Sequence, residues 1–350
     1  AQFRFWGGDR MAAAGGAANL AKHYRETSFF GIVQVLKNLR TIKRQMLECQ
    51  ADVAAFAPDV LILVDYPGFN MKMARWAKEH GIRTFYYIAP KVWAWREWRV
   101  KAIRKYVDRL FIIFPFERSY FPRHGIEPIF EGNPLVDAIE AKRAALPSPD
   151  EFRRRNGLDG RPIVALLAGS RRGEIRDNLP LMAALSRKFP ERQFVVAGVA
   201  WLDRALYEQY TAGSGIRYVC DQTYETLAAA EAAVVTSGTA TLETALLGIP
   251  EVVVYRTVWW QVWLRPYVLK VPWVSLVNLN LGREAVAEII QSDFSVDRAE
   301  RELRAILHGG SKRGKMLADF GELKTIIGGP GASERFAARM VAELHAQKIK

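Results

Sequence analysis

Short apolar runs alternate with helix-like stretches along most of this chain, and that alternation restricts the possible folds more than any other feature of the sequence. In the first half, apolar runs predict strands at residues 3–6, 60–64, 83–88 and 110–114. In the second half, they predict strands at residues 163–167, 193–198, 216–219, 232–235 and 251–255. Strands separated by single helices form parallel sheets with helices on both faces, so the sequence predicts an α/β fold.

The composition changes between residues 141 and 162, where Pro, Gly, Asp and a run of three arginines interrupt the alternation. Such a stretch is typical of a domain boundary, and 350 residues exceed the usual size of one domain. We therefore predict two Rossmann-like domains, 1–145 and 146–330, that face a cleft. The last segment, 331–350, contains a predicted helix at 333–347 that could return to the first domain.

The charge balance indicates an anionic partner. Lys and Arg number 50 against 37 Asp and Glu, a net charge of +13, which suits nucleic acid, a phosphorylated substrate or an acidic membrane surface. Cys49 and Cys220 lie far apart in the sequence, which favours a reducing compartment over disulfide bonds. No apolar run approaches about 18 residues and no signal peptide is evident, so we predict no transmembrane helix. Residues 3–6 read as a strand inside a fold, and we expect a leading βα unit of roughly 30 residues to be absent.

A strand that ends in Ser237, Gly238 and Thr239 leads directly into a predicted helix. Gly238 would let a ligand approach the backbone, and Ser237 and Thr239 could cap the helix. Because a helix N-terminus carries unpaired N–H groups and partial positive charge, the turn suits a phosphate. Glu243 follows one turn later, where its carboxylate could hold ribose hydroxyls. The alternative is an ordinary capped turn between strand and helix.

A second turn of this kind follows the predicted strand at 163–167. Gly169 and Ser170 would expose backbone N–H groups, and Arg171 adds a charge suited to a diphosphate. Both turns would lie at the carboxyl edge of one parallel sheet, where such sheets bind ligands. An ordinary turn with solvated arginines is the alternative.

Asp65 ends the predicted strand at 60–64 in the first half. From there its carboxylate could deprotonate an acceptor hydroxyl, a role worth roughly 10²–10⁴-fold in rate. The alternative is a turn in which the Asp side chain shapes the Asp-Tyr-Pro-Gly bend, with Asn70 as a cap or a ligand contact.

A third polar stretch runs from Asn278 to Glu284 after a strand-like run. Asn278 could read a base or a sugar, while Arg283 and Glu284 could serve the leaving phosphate and a ribose. A polar loop that caps the next helix is the alternative, and this stretch alone favours it. The histidines are scattered, without Asp-x-Asp or His-x-x-x-His spacing, so we predict no metal and no cofactor.

Two apolar stretches suit a lipid surface. The predicted helix at 29–47 carries an apolar stripe wider than a core face needs, and residues 259–273 gather tryptophans beside basic residues. The stripe consists of Ile32, Val33, Val35, Leu36, Leu39 and Ile42. A basic, tryptophan-containing helix at 91–107 adds attraction to anionic lipid. Packing between domains is the alternative. The basic helix could also bind RNA, but no RNA-binding module is recognisable, so we expect no nucleic acid partner.

Several motifs, in this order, are those of a known family. They are Val-Asp-Tyr-Pro-Gly-Phe-Asn at 64–70, Pro-Lys-Val-Trp-Ala-Trp-Arg at 90–96, Ile-Phe-Pro-Phe-Glu at 113–117, Gly-Asn-Pro at 132–134, Gly-Ser-Arg at 169–171, Ser-Gly-Thr-Ala-Thr-Leu-Glu at 237–243 and the stretch 278–284. On these residues the chain resembles the lipid-A-disaccharide synthases over nearly its whole length. The resemblance implies a glycosyltransferase with the GT-B architecture of two Rossmann-like domains.

The resemblance also implies a reaction: transfer of 2,3-diacylglucosamine from UDP-2,3-diacylglucosamine to 2,3-diacylglucosamine 1-phosphate, with inversion, giving the lipid A disaccharide and UDP. Asp65 would be the base, Arg171 and the Ser-Gly-Thr helix start would hold UDP, and Asn278 and Glu284 would line the donor pocket. The stripe at 32–42 would take acyl chains and touch the anionic inner membrane. A cytoplasmic protein, peripheral on the cytoplasmic face of that membrane, is therefore implied, and a homodimer is a further option.

The chain departs from the family pattern in two places. The family begins with a strand and a Gly-Glu-x-Ser-Gly-Asp loop that this sequence lacks, and Asn133 stands where a histidine is usual. One alternative is another UDP-sugar enzyme of the same architecture, such as an epimerase or a polyprenyl-linked transferase. The other is a non-enzymatic protein that binds anionic lipid or RNA.

Overall fold

The computed structural model describes residues 1–26, 38–95, 99–256, 272–290 and 295–346. Strands alternate with helices through these residues, and the predicted α/β fold is confirmed.

The strands are β1 (Phe5–Gly7), β2 (Leu20–His23), β3 (Leu61–Val64), β4 (Thr84–Tyr87), β5 (Arg109–Ile112), β6 (Pro128–Phe130), β7 (Ile163–Leu167), β8 (Gln193–Gly198), β9 (Arg217–Cys220), β10 (Ala230–Thr236), β11 (Glu251–Tyr255) and β12 (Ala287–Ile290). The α-helices are α1 (Asp9–Gly15), α2 (Leu39–Phe56), α3 (Pro67–Glu79), α4 (Val92–Trp95), α5 (Arg99–Tyr106), α6 (Glu117–Tyr120), α7 (Pro134–Arg143), α8 (Pro149–Arg155), α9 (Arg172–Ser186), α10 (Arg204–Thr211), α11 (Thr223–Ala228), α12 (Thr239–Leu247), α13 (Leu276–Leu281), α14 (Val296–Ile306), α15 (Arg313–Ile327) and α16 (Ala332–His345).

One compact unit comprises Ala1–Pro90, Trp98–Phe111 and Gly125–Glu127. Its strands β3, β4 and β5 lie side by side in that order and run parallel. Phe85 and Phe111 are fully buried. Apolar strands of this kind suit a parallel sheet, because helices cover both faces of such a sheet and bury its side chains.

The other unit comprises Lys91–Glu97, Ile112–His124 and Pro128–Lys350. Its sheet has the order β12-β11-β10-β7-β8-β9, and every adjacent pair is parallel. Strands β7, β8, β10 and β11 are buried over nearly their whole length because they are rich in Val, Leu and Ala. The chain moves outward from β7 through β8 to β9 and then returns to the other side of β7 with β10. The carboxyl ends of β7 and β10 therefore form the topological switch point, where sheets of this type bind ligands.

The C-terminal helix α16 packs against α7 within the second unit. Asp137 on α7 accepts hydrogen bonds from the backbone N–H groups of Gly331 (2.6 Å) and Ser333 (2.8 Å) at the start of α16. The carboxylate thus satisfies N–H groups that a helix start leaves unpaired. This unit also includes residues 112–124 and 128–145. The domain limits 1–145, 146–330 and 331–350 stay a prediction.

Several elements differ from the sequence-based assignment. Strands β2, β6 and β12 were not expected, because each has only three or four residues and is partly exposed. The strand-like run before Asn278 is the helix α13: the Ser275 hydroxyl accepts hydrogen bonds from two N–H groups at its start, and Gly282 ends it in the left-handed conformation. The predicted helix at 91–107 contains two helices, α4 and α5. The predicted helix at 29–47 enters the described residues only near Leu39, and there it extends to Phe56 as α2.

Candidate functional site

The Ser-Gly-Thr turn joins β10 to α12, and no side chain caps this helix. The expected capping by Ser237 and Thr239 is wrong, because the Ser237 hydroxyl donates to the Val274 carbonyl (2.9 Å) and Thr239 is already the first helical residue. A Cβ added to Gly238 would meet no atom within 4 Å, so the turn is open on that side. An uncapped start leaves backbone N–H groups and the positive end of the helix dipole to a ligand.

Glu243 lies one turn along α12 and is half-buried. Its carboxylate accepts a hydrogen bond from the Tyr224 hydroxyl at 2.7 Å, and the Lys142 ammonium lies 4.2 Å from the centre of the Tyr224 ring. Burial, together with the Glu243 carboxylate, raises the pKa of Tyr224, so the hydroxyl stays protonated and keeps donating. Tyr224 therefore fixes the orientation of Glu243, while contact between Glu243 and a ribose stays a prediction.

The Gly-Ser-Arg turn joins β7 to α9, and Glu174 already occupies its N–H groups. The Glu174 carboxylate accepts from the backbone N–H of Ser170 (2.9 Å) and of Arg171 (3.2 Å), and from the Arg171 guanidinium (2.5 Å). The backbone donors that the sequence predicted to be exposed here are thus paired with the Glu174 carboxylate, while the Arg171 side chain, which has no acceptor atom, does not cap the helix in return. Gly169 is required: its φ is +112°, and a Cβ would lie 2.5 Å from the Cβ of Glu174.

The two turns lie at the same edge of one sheet, as the sequence predicted. Strands β7 and β10 are adjacent and parallel, with Leu167 paired to Val235 in the last shared register position. Each turn follows directly, so Arg171 and the start of α12 stand at the switch point between the two strands. The Arg171 side chain is 72% exposed there.

Trp201 stands at the same edge, and the sequence analysis missed it. It follows β8, the strand on the other side of β7, and its indole N–H donates to the Ser170 carbonyl at 3.1 Å. A lone tryptophan in a predicted loop was the only available signal, because the hydrogen bond to Ser170 is a tertiary contact.

The third predicted group, Asn278 with Arg283 and Glu284, has mainly internal contacts. Asn278 is fully buried, accepts from the N–H groups of Ala285 (2.8 Å) and Val286 (3.0 Å), and donates to the Val286 carbonyl (2.9 Å). Its amide thereby holds the segment between α13 and β12.

Arg283 forms ion pairs with Glu322 and with Asp319, the latter at 2.8 Å. The hydrogen bonds that the Arg283 guanidinium donates to Glu322 and Asp319 raise the pKa of Arg283. Glu284 is exposed. A donor-binding role for Asn278, Arg283 and Glu284 stays a prediction.

Asp65 follows β3 in an unusual backbone conformation. Asp65 and Tyr66 have φ of +45° and +44°, a left-handed region that non-glycine residues rarely adopt. The Asp65 carbonyl accepts from the Tyr86 hydroxyl (2.6 Å) and the Asn70 amide (2.8 Å), and its N–H donates to the Tyr87 carbonyl (2.9 Å). Strain of this kind persists only where such contacts hold it, and it is concentrated at functional sites.

The Asp65 side chain is exposed, and among the described residues its carboxylate accepts no hydrogen bond. The alternative of a turn built by this side chain is therefore not observed. The turn is held by backbone groups and by the Asn70 amide, and the Asp65 side chain is left exposed.

The lipid-facing stripe is only partly described. Ile32, Val33, Val35 and Leu36, and the tryptophans at 259–263, lie outside the described residues. On α2, Leu39 is 54% and Leu47 57% exposed, Ile42 is half-buried, and the buried positions are Gln45 and Cys49. The described part of α2 thus presents apolar side chains outside its buried face. Among the described residues, no helix has the length and apolarity to cross a bilayer, and no cluster of His, Cys, Asp and Glu is arranged to hold a metal.

Comparisons with known proteins identify the family. The family described as lipid-A-disaccharide synthetase matches residues 2–326. The lipid-A-disaccharide synthase of Myxococcus xanthus is 40% identical over 349 residues, covering 97% of this chain and 88% of the relative. That of Syntrophus aciditrophicus is 37% identical over 344 residues, covering 95% and 88%.

Two solved structures of sugar-processing enzymes share the fold. The UDP-GlcNAc 2-epimerase of Neisseria meningitidis, bound to UDP-GlcNAc, gives a TM-score of 0.65 at 11% identity and covers 92% of this chain and 85% of its own. A trehalose 6-phosphate synthase of Burkholderia multivorans gives 0.52 at 15% identity, with 91% and 80% covered. At these identities the similarity shows the fold alone.

Proposed function

This chain belongs to the lipid-A-disaccharide synthetase family, and we propose that it catalyses the reaction for which the family is named. It is a glycosyltransferase with a GT-B fold. In the proposed reaction it transfers 2,3-diacylglucosamine from UDP to 2,3-diacylglucosamine 1-phosphate, with inversion, and releases UDP. The observation that carries the donor half is that Arg171 and the uncapped start of α12 follow β7 and β10, the adjacent strands at the switch point of the sheet.

The donor diphosphate would bind between Arg171 and the uncapped start of α12. As the glycosidic C–O bond breaks, the electron pair stays on the diphosphate, and the guanidinium and helix N–H groups stabilise that charge. Glu174 already pairs with Arg171, so the diphosphate competes with this carboxylate for the guanidinium. Glu243, oriented by Tyr224, would accept hydrogen bonds from the ribose hydroxyls.

Asp65 would act on the acceptor. Its exposed carboxylate takes the proton of the acceptor hydroxyl while that oxygen forms a bond to the anomeric carbon of the donor, opposite the departing UDP. The contacts to Tyr86, Asn70 and Tyr87 fix the backbone of Asp65, from which the carboxylate projects. A fixed backbone limits the positions that the carboxylate can take, which lowers the entropic part of the barrier.

The direct test is an assay with UDP-diacylglucosamine and diacylglucosamine 1-phosphate that measures both UDP and disaccharide. Asp65→Asn should lower turnover by roughly 10²–10⁴-fold and leave the Kd for UDP nearly unchanged, because the amide keeps the shape but cannot accept the proton. Asp150→Asn is the matched control, since Asp150 is 92% exposed at the start of α8. Equal losses of turnover and UDP affinity in Asp65→Asn would contradict its role as the base.

Arg171→Ala tests the donor half separately. It should weaken UDP binding, with Arg176→Ala as the control because Arg176 is an exposed arginine one turn further along α9. Unchanged UDP affinity in Arg171→Ala would remove this residue from the donor site. Conversion of the UDP-sugar without any acceptor would instead favour an epimerase, and the absence of both UDP release and disaccharide would refute the enzyme.

We also propose that α2 contacts the anionic cytoplasmic surface of the inner membrane, because exposed Leu39 and Leu47 can enter the interface. Leu39→Ser with Leu47→Ser should reduce cosedimentation with phosphatidylglycerol vesicles while the far-UV CD spectrum stays unchanged. Leu317→Ser is the control, since Leu317 is an exposed leucine on α15. Unfolding of the double variant, or unchanged vesicle binding, would count against the membrane contact.

A further inference from the structure

Three aromatic side chains form a row that begins beside Asp65. Tyr66 directly follows Asp65 in the chain, and its ring is stacked on that of Phe69, with the ring centres 6.0 Å apart. The Phe69 ring in turn contacts the Trp6 ring, with 6.3 Å between the centres. All four residues belong to the first compact unit. The aromatic row therefore extends from the proposed base to strand β1.

The three rings come from three elements that hold them in place. Tyr66 lies in the turn after β3 with a φ of +44°, a conformation that is unfavourable for a large side chain. Phe69 lies in the first turn of α3, and its N–H donates to the Tyr66 carbonyl (3.2 Å). Trp6 lies on β1, and its indole N–H donates to the Asp52 carboxylate (3.3 Å) on α2. These contacts restrict where the rings can lie relative to Asp65.

The aromatic row is not part of the closed core of this unit. Phe85 on β4 is fully buried, whereas the three rings of the row are each half-buried. Part of each ring is therefore accessible to a ligand. Ligand sites are lined mainly by aromatic and apolar side chains, with a few polar groups that orient the ligand. Asp65, exposed at the end of the row, is such a polar group.

The proposed chemistry of Asp65 indicates which ligand the aromatic row fits. To lose its proton to the Asp65 carboxylate, the acceptor hydroxyl must lie within hydrogen-bond distance of it. The rest of the acceptor then lies against the surface next to Asp65. An acylated glucosamine presents C–H groups on its sugar ring and on its acyl chains, and aromatic rings bury such groups well. Arg171 and the start of α12, which are proposed to hold the diphosphate, belong to the second unit, so we assign the row to the acceptor and not to the nucleotide.

We propose that Tyr66, Phe69 and Trp6 bind the acceptor, with its acylated sugar packed against the aromatic row. This inference rests on the proposed function, because it takes the position of the acceptor from the role of Asp65 as the base. It adds a surface that holds an apolar acceptor at that base. The row should therefore affect the KM for the acceptor more than kcat, and it should not affect UDP binding.

The test measures the Kd for 2,3-diacylglucosamine 1-phosphate in detergent micelles and the Kd for UDP by calorimetry, for the full chain and for Phe69→Ala. Loss of the ring should weaken acceptor binding about tenfold, which corresponds to about 1.4 kcal/mol, and leave the Kd for UDP unchanged. In the turnover assay, this variant should raise the KM for the acceptor but not for the donor. Phe69→Tyr should retain most of the acceptor affinity, because a ring remains. Phe3→Ala is the matched control, since Phe3 is a 58% exposed phenylalanine in the same unit.

Two milder variants serve if the far-UV CD spectrum shows that Phe69→Ala does not fold. Phe69→Leu and Trp6→Leu keep an apolar side chain at each position but remove a ring from the row. Both should weaken acceptor binding without changing the Kd for UDP. Because Trp6 lies on β1 and Phe69 on α3, the two variants test the row from separate elements.

Each other outcome has a distinct meaning. Unchanged acceptor affinity in the variants of both Phe69 and Trp6 would overturn the inference, as would equal weakening of acceptor and UDP binding. Loss of binding to phosphatidylglycerol vesicles with unchanged acceptor affinity would assign the row to the membrane and also overturn it. Failure of the unchanged protein to bind UDP or the acceptor would instead refute the proposed function.

Discussion

Glu117→Gln should flatten the pH dependence of the stability of the second unit. Glu117 is 1% exposed, and its carboxylate accepts from the Trp93 indole N–H (3.0 Å) and from the backbone N–H of Phe114 (3.2 Å). Burial raises the pKa of Glu117 from 4.5 to about 7, although these hydrogen bonds act in the opposite direction. Glu117 thus changes charge near neutral pH while it joins two of the family motifs, at 90–96 and 113–117.

The magnitude follows from the linkage between protonation and folding. A pKa that rises from 4.5 to about 7 on folding is worth roughly 3 kcal/mol, at about 1.4 kcal/mol per pH unit. Because the folded state holds the proton more tightly, this stability is fully present below about pH 4.5 and is lost as pH rises through about 7. Gln cannot titrate. Glu117→Gln should lower the free energy of unfolding because an amide N–H then faces the Phe114 N–H, and this loss is nearly the same at every pH.

The assay is urea unfolding followed by tryptophan fluorescence between pH 5 and 8.5. The free energy of unfolding of the unchanged protein should fall more steeply with pH than that of Glu117→Gln. Trp93→Phe removes a donor that lowers the pKa of Glu117, so in this variant the fall should extend to higher pH. Equal pH slopes for the unchanged protein and Glu117→Gln would refute the reasoning.

Three further substitutions test other contacts. Glu251→Leu should stabilise the protein by about 1–3 kcal/mol at pH 8 and by less at pH 5. Glu251 is buried with both carboxylate oxygens unpaired among the described residues, and burial raises its pKa. Because the unfolded chain loses this proton more readily than the folded protein, Glu251 destabilises the fold most at high pH. Lower stability of Glu251→Leu at pH 8 in urea unfolding would contradict this. Glu174→Gln should tighten UDP binding several-fold by calorimetry, since the amide oxygen can still accept from the Ser170 and Arg171 N–H groups but the charge that competes for Arg171 is gone; weaker binding would mean that the charge is needed to orient Arg171. Gly169→Ala should weaken UDP binding and lower Tm, because its Cβ would collide with Glu174; unchanged values for both would show that the turn can adjust.

The strands that the sequence predicted best are those buried on both faces. Strands β7 and β11 match the predicted ranges because an unbroken apolar run leaves no other element of that length. The run before Asn278 looks the same in the sequence, yet Ser275 caps it as the helix α13. A serine caps a helix only if the following residues take helical backbone angles. That depends on tertiary packing, which a short stretch of sequence does not show.

The candidate site divides in the same way. The edge shared by Arg171 and Ser237 follows from parallel strand order, because all parallel strands end at one side of a sheet. The pairing of Glu174 with the Ser170 N–H, and the internal bonds of Asn278, follow from side-chain positions in the folded chain. Residue type and spacing therefore located the turns but did not say which of their polar groups are already paired.

The ion pair between Arg171 and Glu174 affects how a diphosphate would bind at this edge of the sheet. If Arg171 were unpaired, binding of any diphosphate there would gain the full interaction with its charge. Because Glu174 already neutralises Arg171, that gain is reduced by the loss of an existing ion pair. In the proposed site, more of the affinity for the donor then comes from its other groups, among them the ribose proposed to bind at Glu243. An enzyme that releases UDP after each transfer must not hold UDP too tightly, so in the proposed reaction the competition from Glu174 would favour turnover.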